Sequence, residues 1–270
     1  MHLPCYARAV TGHPAPLPLA AVEQSLGELY VAAEGAGLRD EHRKKAAEIA
    51  PLLEEIRRAV VTTQARRRGI VLVDAAAGLA YVGLLAARLV LAPAGVKARI
   101  VAIDREAARA DTARLAALRL GISVEVEVRV GDLAEPALWP RAPSLVVALH
   151  ACGKASDAIV DSTIACEAAR LLLVPCCYPD TELGARLARG TVGIPRHAAV
   201  RRRFAQAVVD AERTLRLEAA GYATEVVELV SPSVTPHNLL WRSRRVAEPR
   251  RMAEAAARLA DLRATFGLSA

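Results

Sequence analysis

Val73-Asp74-Ala75-Ala76-Ala77-Gly78-Leu79-Ala80-Tyr81 is the stretch whose reading decides the fold of this chain. It continues the aliphatic run Ile70–Val73, which reads as a strand, and it leads into Tyr81–Leu91, which reads as a helix. Small residues at a strand-to-helix turn let a ligand approach the backbone closely. The helix start beyond them offers free N–H groups and the positive end of the helix dipole. Outward from this turn, Arg99–Ile103, Val124–Val130, Ser144–Leu149 and Arg170–Val174 are further short aliphatic runs. The helical stretches Arg105–Leu120 and Ser156–Ala168, with a shorter connection at Leu133–Trp139, separate them. Alternation of this kind predicts an α/β fold with a parallel sheet covered on both faces.

Downstream, a helix is expected over Ala198–Ala220, ended by Gly221. The strands Ala223–Val230 and Leu239–Ser243 are joined by the short link Ser231–Asn238, so they are expected to be antiparallel. Glu248–Thr265 reads as a terminal amphipathic helix. Upstream, residues 1–18 hold four prolines and read as an irregular arm or lid. Helices are expected over Leu19–Glu34 and Asp40–Arg67, the second with Asp40 as N-cap and with Ile49, Leu52, Leu53, Ile56 and Val60 on one face. The expected division is an arm and helical extension over 1–68, a ligand-binding domain over 69–246 and a C-terminal helix over 247–270.

Composition narrows the class. Hydrophobic residues make up 53% of the 270 positions and aromatics only 3%, so Ala, Leu and Val must fill the core. The most apolar stretch, Ile70–Ala92, is interrupted by Asp74 and Arg88 and is too short between charges to span a bilayer. No charged segment followed by an apolar one opens the chain, so no signal peptide is expected. Cys5, Cys152, Cys166, Cys176 and Cys177 are an odd set with one adjacent pair, which suits reduced thiols in a cytoplasmic enzyme. The formal charge of +7 rests on 32 Arg and only 4 Lys. An Ala- and Arg-rich composition also follows from GC-rich coding, so it is discounted as a sign of nucleic-acid binding.

The strand ends carry an ordered set of carboxylates. Asp74 closes the first strand. Asp104 closes the second, followed by Arg105, at a point where an acidic residue accepts both ribose hydroxyls of a nucleoside. Gly131-Asp132-Leu133 follows the third, where an Asp is placed to take an adenine amino group. The methionine carboxylate of S-adenosylmethionine would suit the helix start at Ala76–Tyr81. The dinucleotide fingerprint G-x-G-x-x-G is absent, since Gly78 and Gly83 have the wrong spacing.

Lys44-Lys45, Val73–Tyr81, Leu149-His150-Ala151-Cys152-Gly153 and Pro175-Cys176-Cys177-Tyr178 together resemble one branch of the class I methyltransferases, strengthened by Thr235–Leu240. The branch includes methyltransferase-like proteins with a His-x-Cys-Gly motif and the methyltransferase domain of the glutathione-S-transferase C-terminal-domain-containing protein. More distantly it is similar to tRNA 2′-O-methyltransferases with His-x-Cys-Gly and a later Cys-Cys. The resemblance covers roughly residues 40–245. It implies a Rossmann-like seven-stranded sheet whose last strand is antiparallel, and S-adenosyl-L-methionine held by Asp74, Gly78, Asp104 and Asp132. The family usually has Asp-x-Gly-x-Gly-x-Gly-Tyr, and here Ala76 and Ala80 replace the first and third glycines. With φ below zero at both, the loop survives with a tighter pocket; with φ above zero, affinity falls.

Ala76, Tyr81, Arg105, Gly131, Leu133 and His150 complete the expected cofactor set. His150, after the fourth strand, is the candidate base, and Tyr178, after the fifth, a candidate to orient substrate or adenosine. Cys152, Cys176, Cys177 and Asn238 are expected to line the acceptor site. A zinc site from His150 and the three thiols is chemically conceivable, but no Cys-x-x-Cys pair supports it and no metal is expected. The acceptor is a small molecule or RNA, with Arg66-Arg67-Arg68, Arg201-Arg202-Arg203 and Arg242/Arg244/Arg245 as possible phosphate clamps. The competing reading is a binding module that kept the fold and lost the chemistry.

Overall fold

The computed structural model describes residues 16–31, 38–64, 69–122, 124–178, 194, 197–231 and 238–268. A seven-stranded sheet forms the centre. Its strands are β1 (Ile70–Ala75), β2 (Ala98–Asp104), β3 (Glu125–Val130), β4 (Leu145–Cys152), β5 (Arg170–Cys177), β6 (Tyr222–Glu228) and β7 (Leu239–Arg245). Their order is β3-β2-β1-β4-β5-β7-β6. β1 to β5 pair in parallel, and β7 lies antiparallel between β5 and β6. This is the Rossmann-like class I arrangement, with one strand running against the other six.

The helices are α1 (Leu19–Leu26, continued as a wider turn over Gly27–Val31), α2 (Asp40–Gln64), α3 (Tyr81–Ala86, continued over Ala87–Leu91), α4 (Ala107–Leu118), α5 (Lys154–Ala165), α6 (Ala198–Ala219) and α7 (Pro249–Phe266). The ends of the two expected N-terminal helices, at 32–34 and 65–67, lie outside the described residues, as do Arg66-Arg67-Arg68 and Thr235–His237. Asp40 is the first helical residue of α2 and not its cap; the Arg39 N–H is held instead by His42 Nδ1.

Alternation along the strands builds two buried layers. Ile70 and Leu72 of β1, Ile100 and Ala102 of β2, and Val147 of β4 pack with α1 to α4. Val73, Val101, Val146, Ala148 and Leu173 face the other way, onto Ile159 and Val160 of α5 and Leu217 of α6. Leu26, Leu29, Ile49, Leu52, Leu53 and Ile56 are fully or almost fully buried in the first layer, so the N-terminal helices share the sheet's own core. The same period of two puts the carboxylates of Asp74 and Asp104 on the α1–α4 side, at the carboxyl ends of neighbouring strands. Among the described residues, no helix is long and apolar enough to cross a membrane.

Candidate active site

Asp74 is buried at the end of β1, and its Oδ2 accepts the Gly83 N–H at 2.8 Å. Gly83 suits this approach: a Cβ there would lie 3.1 Å from Asp74 Oδ2 and 3.0 Å from Ile100, so those side chains would have to give by a few tenths of an ångström. Burial pushes the Asp74 carboxyl up to about 7, with the Gly83 hydrogen bond opposing and the Asp104 charge adding to the rise. Asp104 Oδ2 accepts the Gly78 N–H at 2.7 Å, and its Oδ1 accepts the Glu106 N–H at 3.0 Å. The loop between β1 and α3 is thus tied to two strand ends by side chains. Ala77 and Ala80 also donate, to the carbonyls of Ile103 and Ala77. Four N–H groups, three in the loop and that of Gly83 in α3, are therefore already partnered.

Gly78 has φ +58 with open space over its Cα. Ala76 and Ala80 have φ +55 and +59, where an L residue costs about 1–2 kcal/mol. The loop keeps the left-handed turns glycines would make and carries the strain. Tyr30, on the turn after α1, braces it by donating to the Leu79 carbonyl at 2.7 Å and packing edge-on against Tyr81, with 4.4 Å between ring centroids.

Between this loop and α2 lies a cavity of about 250 Å³ whose wall includes Lys45, Asp74, Ala76, Gly78, Tyr81 and His150. β4 is longer than the sequence implies and reaches Cys152, so His150 and Cys152 sit within the strand end. There the ladder is irregular. Leu149 pairs with Val174, Ala151 with Pro175, and Cys152 with Cys177. His150 is an extra residue in β4, with φ +63, and Cys176 a compensating extra residue in β5. In a regular strand, His150 would face away from Leu149. The bulge turns it to the same side, where both line the cavity.

His150 Nε2 lies 2.6 Å from Glu48 Oε2 of α2. Burial alone would raise the Glu48 carboxyl, but the hydrogen bond with His150, the largest opposing cause, and the Lys45 charge help to bring it below its ordinary value. Sequence reasoning missed Glu48. The signal was present: Lys45 and Glu48 are polar residues on the α2 face that also carries Ile49 and Leu52, at spacings of three, four and seven from Lys45.

Gly131, Asp132 and Leu133 follow the tip of β3, where Val130 pairs with Asp104. Asp132 is exposed and its Oδ1 accepts the Ala134 N–H at 2.8 Å, while the Leu133 carbonyl accepts Trp139 Nε1–H and the Ser162 hydroxyl. Gly131 donates to the Asp104 carbonyl, and a Cβ on it would meet Leu138 at 2.6 Å. Arg105 is exposed beside Asp104. Tyr178 turns away from His150: its hydroxyl donates to Asp210 Oδ2 of α6 at 2.7 Å, and its ring lies 5.7 Å from the Arg213 guanidinium. Tyr178, Asp210 and Asn238 line a separate cavity of about 220 Å³. The Asn238 side chain donates to the Val230 carbonyl and so holds its own turn. Asp157, on α5, pairs with the buried Arg213. Cys152, Cys176 and Cys177 do come together, their sulfurs within 4.8 Å of one another. Of the basic clusters, Arg242 pairs with Glu55 and Arg245 with Glu167.

The raised Asp74 carboxyl gives a pH-dependent prediction. The native state holds a proton there that the unfolded chain releases near 3.8. Its contribution to stability is therefore present below about pH 4 and lost as pH rises toward about 7. A cationic ligand beside Asp74 favours the ionised form, so affinity for S-adenosylmethionine should rise between about pH 5.5 and 7 and that rise should vanish in Asp74→Asn. Calorimetry across this range checks it; a flat profile in the parent protein counts against the assignment.

Residues 44–182, more than half of the chain, match the methyltransferase domain family. Among curated proteins, none matches the chain by sequence. Among solved structures it is similar to magnesium protoporphyrin IX methyltransferase from Synechocystis with bound S-adenosylhomocysteine, at 14% identity over 84% of this chain and 94% of that one, TM-score 0.49. A methyltransferase from Geobacter sulfurreducens is 18% identical over 87% and 93%, TM-score 0.43. The tRNA (uracil-54, C5)-methyltransferase of Pyrococcus abyssi is 14% identical over 74% and 38%, TM-score 0.41. With β1 to β5 in parallel, carboxylates at adjacent strand tips and a matching stretch that runs from α2 past β5, the chain belongs to the methyltransferase domain family, whose cofactor is S-adenosylmethionine.

Proposed function

We propose that this protein is an S-adenosylmethionine-dependent methyltransferase of the His-x-Cys-Gly branch, acting on an acceptor presented at the rim formed by His150 and Cys152. The observation that carries the reading is the cavity between the Asp74–Tyr81 loop and α2, walled at once by Lys45, Asp74, Gly78 and His150. Its volume of about 250 Å³ is below the ~300–1,000 Å³ of pockets that enclose a whole drug-sized ligand. It suits the amino-acid half of the cofactor, with the nucleoside half extending over Asp104 and the Gly131–Leu133 turn.

Bound there, S-adenosylmethionine supplies an electrophilic sulfonium methyl group. Lys45, in the cavity wall, is the cation for its carboxylate. Asp74 faces its ammonium. Asp104 has both oxygens fixed by backbone N–H groups, which aims the remaining lone pairs at the ribose hydroxyls. Glu48 accepts from His150 Nε2–H, which selects the tautomer with a lone pair on Nδ1. That nitrogen would accept a hydrogen bond from the acceptor nucleophile and so help to orient it.

Lys45→Ala should weaken S-adenosylhomocysteine binding about 10- to 100-fold, the loss of one charge-assisted contact of roughly 1.5–3 kcal/mol. Calorimetry measures it. Absence of any binding to the parent protein at millimolar ligand would remove the reading. A second reading, a binding module without turnover, is favoured by the strained Ala76 and Ala80. Transfer of a labelled methyl group to any small-molecule or RNA fraction excludes it, and RNA retention that does not weaken with salt excludes phosphate contacts.

A further inference from the structure

We propose that Cys152, Cys176 and Cys177 form a three-thiolate site for a thiophilic d10 cation such as Zn²⁺, at the carboxyl ends of β4 and β5. Adjacent residues of a strand point to opposite faces of the sheet, so Cys176 and Cys177 would ordinarily be kept apart. Here their sulfurs are 3.4 Å apart. The cause is the compensating pair of bulges, with His150 the extra residue in β4 and Cys176 the extra residue in β5. The register then closes on Cys152 opposite Cys177, and all three sulfurs lie within 4.8 Å of one another. Three sulfurs at Zn–S bonds of ~2.3 Å in tetrahedral geometry stand about 3.8 Å apart, so small side-chain rotations bring the set onto one ion.

The backbone around the cluster is fixed. Gly153 N–H donates to the Cys177 carbonyl at 3.2 Å, and the Ser156 hydroxyl to the Ala151 carbonyl at 2.7 Å. Cys152 and Cys177 are exposed, so an ion has a path in. Each thiol gives its proton to solvent on coordination. Three protein sulfurs leave one tetrahedral position open, as in catalytic rather than structural sites. The open position would take a soft donor atom, a thiol above all, or water. Neither ring nitrogen of His150 joins the three sulfurs within 4.8 Å of one another, so the site is built from thiols alone.

The full chain, kept reduced, is titrated with Co²⁺ as a spectroscopic probe and then with Zn²⁺. One equivalent of Co²⁺ should bind with sulfur-to-metal charge-transfer and tetrahedral ligand-field bands, and Zn²⁺ should bleach them. Cys152→Ser and Cys177→Ser should each weaken binding at least about tenfold, while Cys166→Ser should leave it unchanged. As a measurement that needs no variant, Zn²⁺ should slow alkylation of Cys152, Cys176 and Cys177 relative to Cys166 when labelled peptides are mapped. Absence of charge-transfer bands, or equal alkylation with and without Zn²⁺, overturns the proposal. S-adenosylhomocysteine binding is measured on the same sample and reports separately on the methyltransferase reading.

Discussion

Arg213→Ala is expected to lower stability by about 3–5 kcal/mol, toward the lower end because Asp157 keeps contact with solvent. The Arg213 side chain is fully buried on α6. It meets Asp157 of α5 in a fork, Nε to Oδ1 at 2.8 Å and Nη2 to Oδ2 at 3.0 Å, and Nη2 also reaches the Gly153 carbonyl at 3.4 Å. Alanine leaves a cavity under Tyr178 and strips Asp157 of its bidentate partner, with Arg216 remaining at 3.4 Å. Arg213→Lys should recover little, because an ammonium cannot make two parallel bonds from one plane. Urea denaturation of the three proteins tests this, and a loss below about 1 kcal/mol for alanine would show the fork to be dispensable. Because Arg213 anchors the Gly153 turn, the variant should also loosen the strand ends beside Cys152.

His150→Asn should reduce methyl transfer by about 10²–10⁴-fold while leaving S-adenosylhomocysteine affinity within about threefold. Asparagine is the informative substitute, because it tolerates the left-handed φ of +63 that alanine would strain. Glu48→Gln keeps a hydrogen-bond acceptor for the His150 N–H but removes the charge, and a smaller fall is expected, in kcat rather than in cofactor affinity. The readout is label transfer from methyl-tritiated S-adenosylmethionine to the acceptor. An unchanged rate in His150→Asn would reduce the residue to a bulge former.

The strands, their order of appearance and the carboxylates at their tips were legible in the chain because period-two burial and turn chemistry are local. β1 to β5 lie where the aliphatic runs are, and Asp74 and Asp104 share a face because each ends a strand of the same phase. Ends were less legible. β4 and β5 run past Leu149 and Val174 to Cys152 and Cys177, through residues whose strand character comes only from pairing with each other. Tyr178 was expected at the reaction centre because it follows the adjacent strand, but burial beside Asp210 and Arg213 captured its hydroxyl for α6.

From residue order alone came the strand–helix alternation that implies a parallel sheet, the small-residue loop after β1 and the histidine and cysteine motifs, all of them patterns among near neighbours in the chain. Only the folded arrangement brought Glu48 to His150 across 102 positions, Arg213 to Asp157 across 56, and three sulfurs onto one side of paired strands. Those meetings depend on bulge registry and on which helix covers which face. Such choices are made by the whole core at once, and no local pattern encodes them.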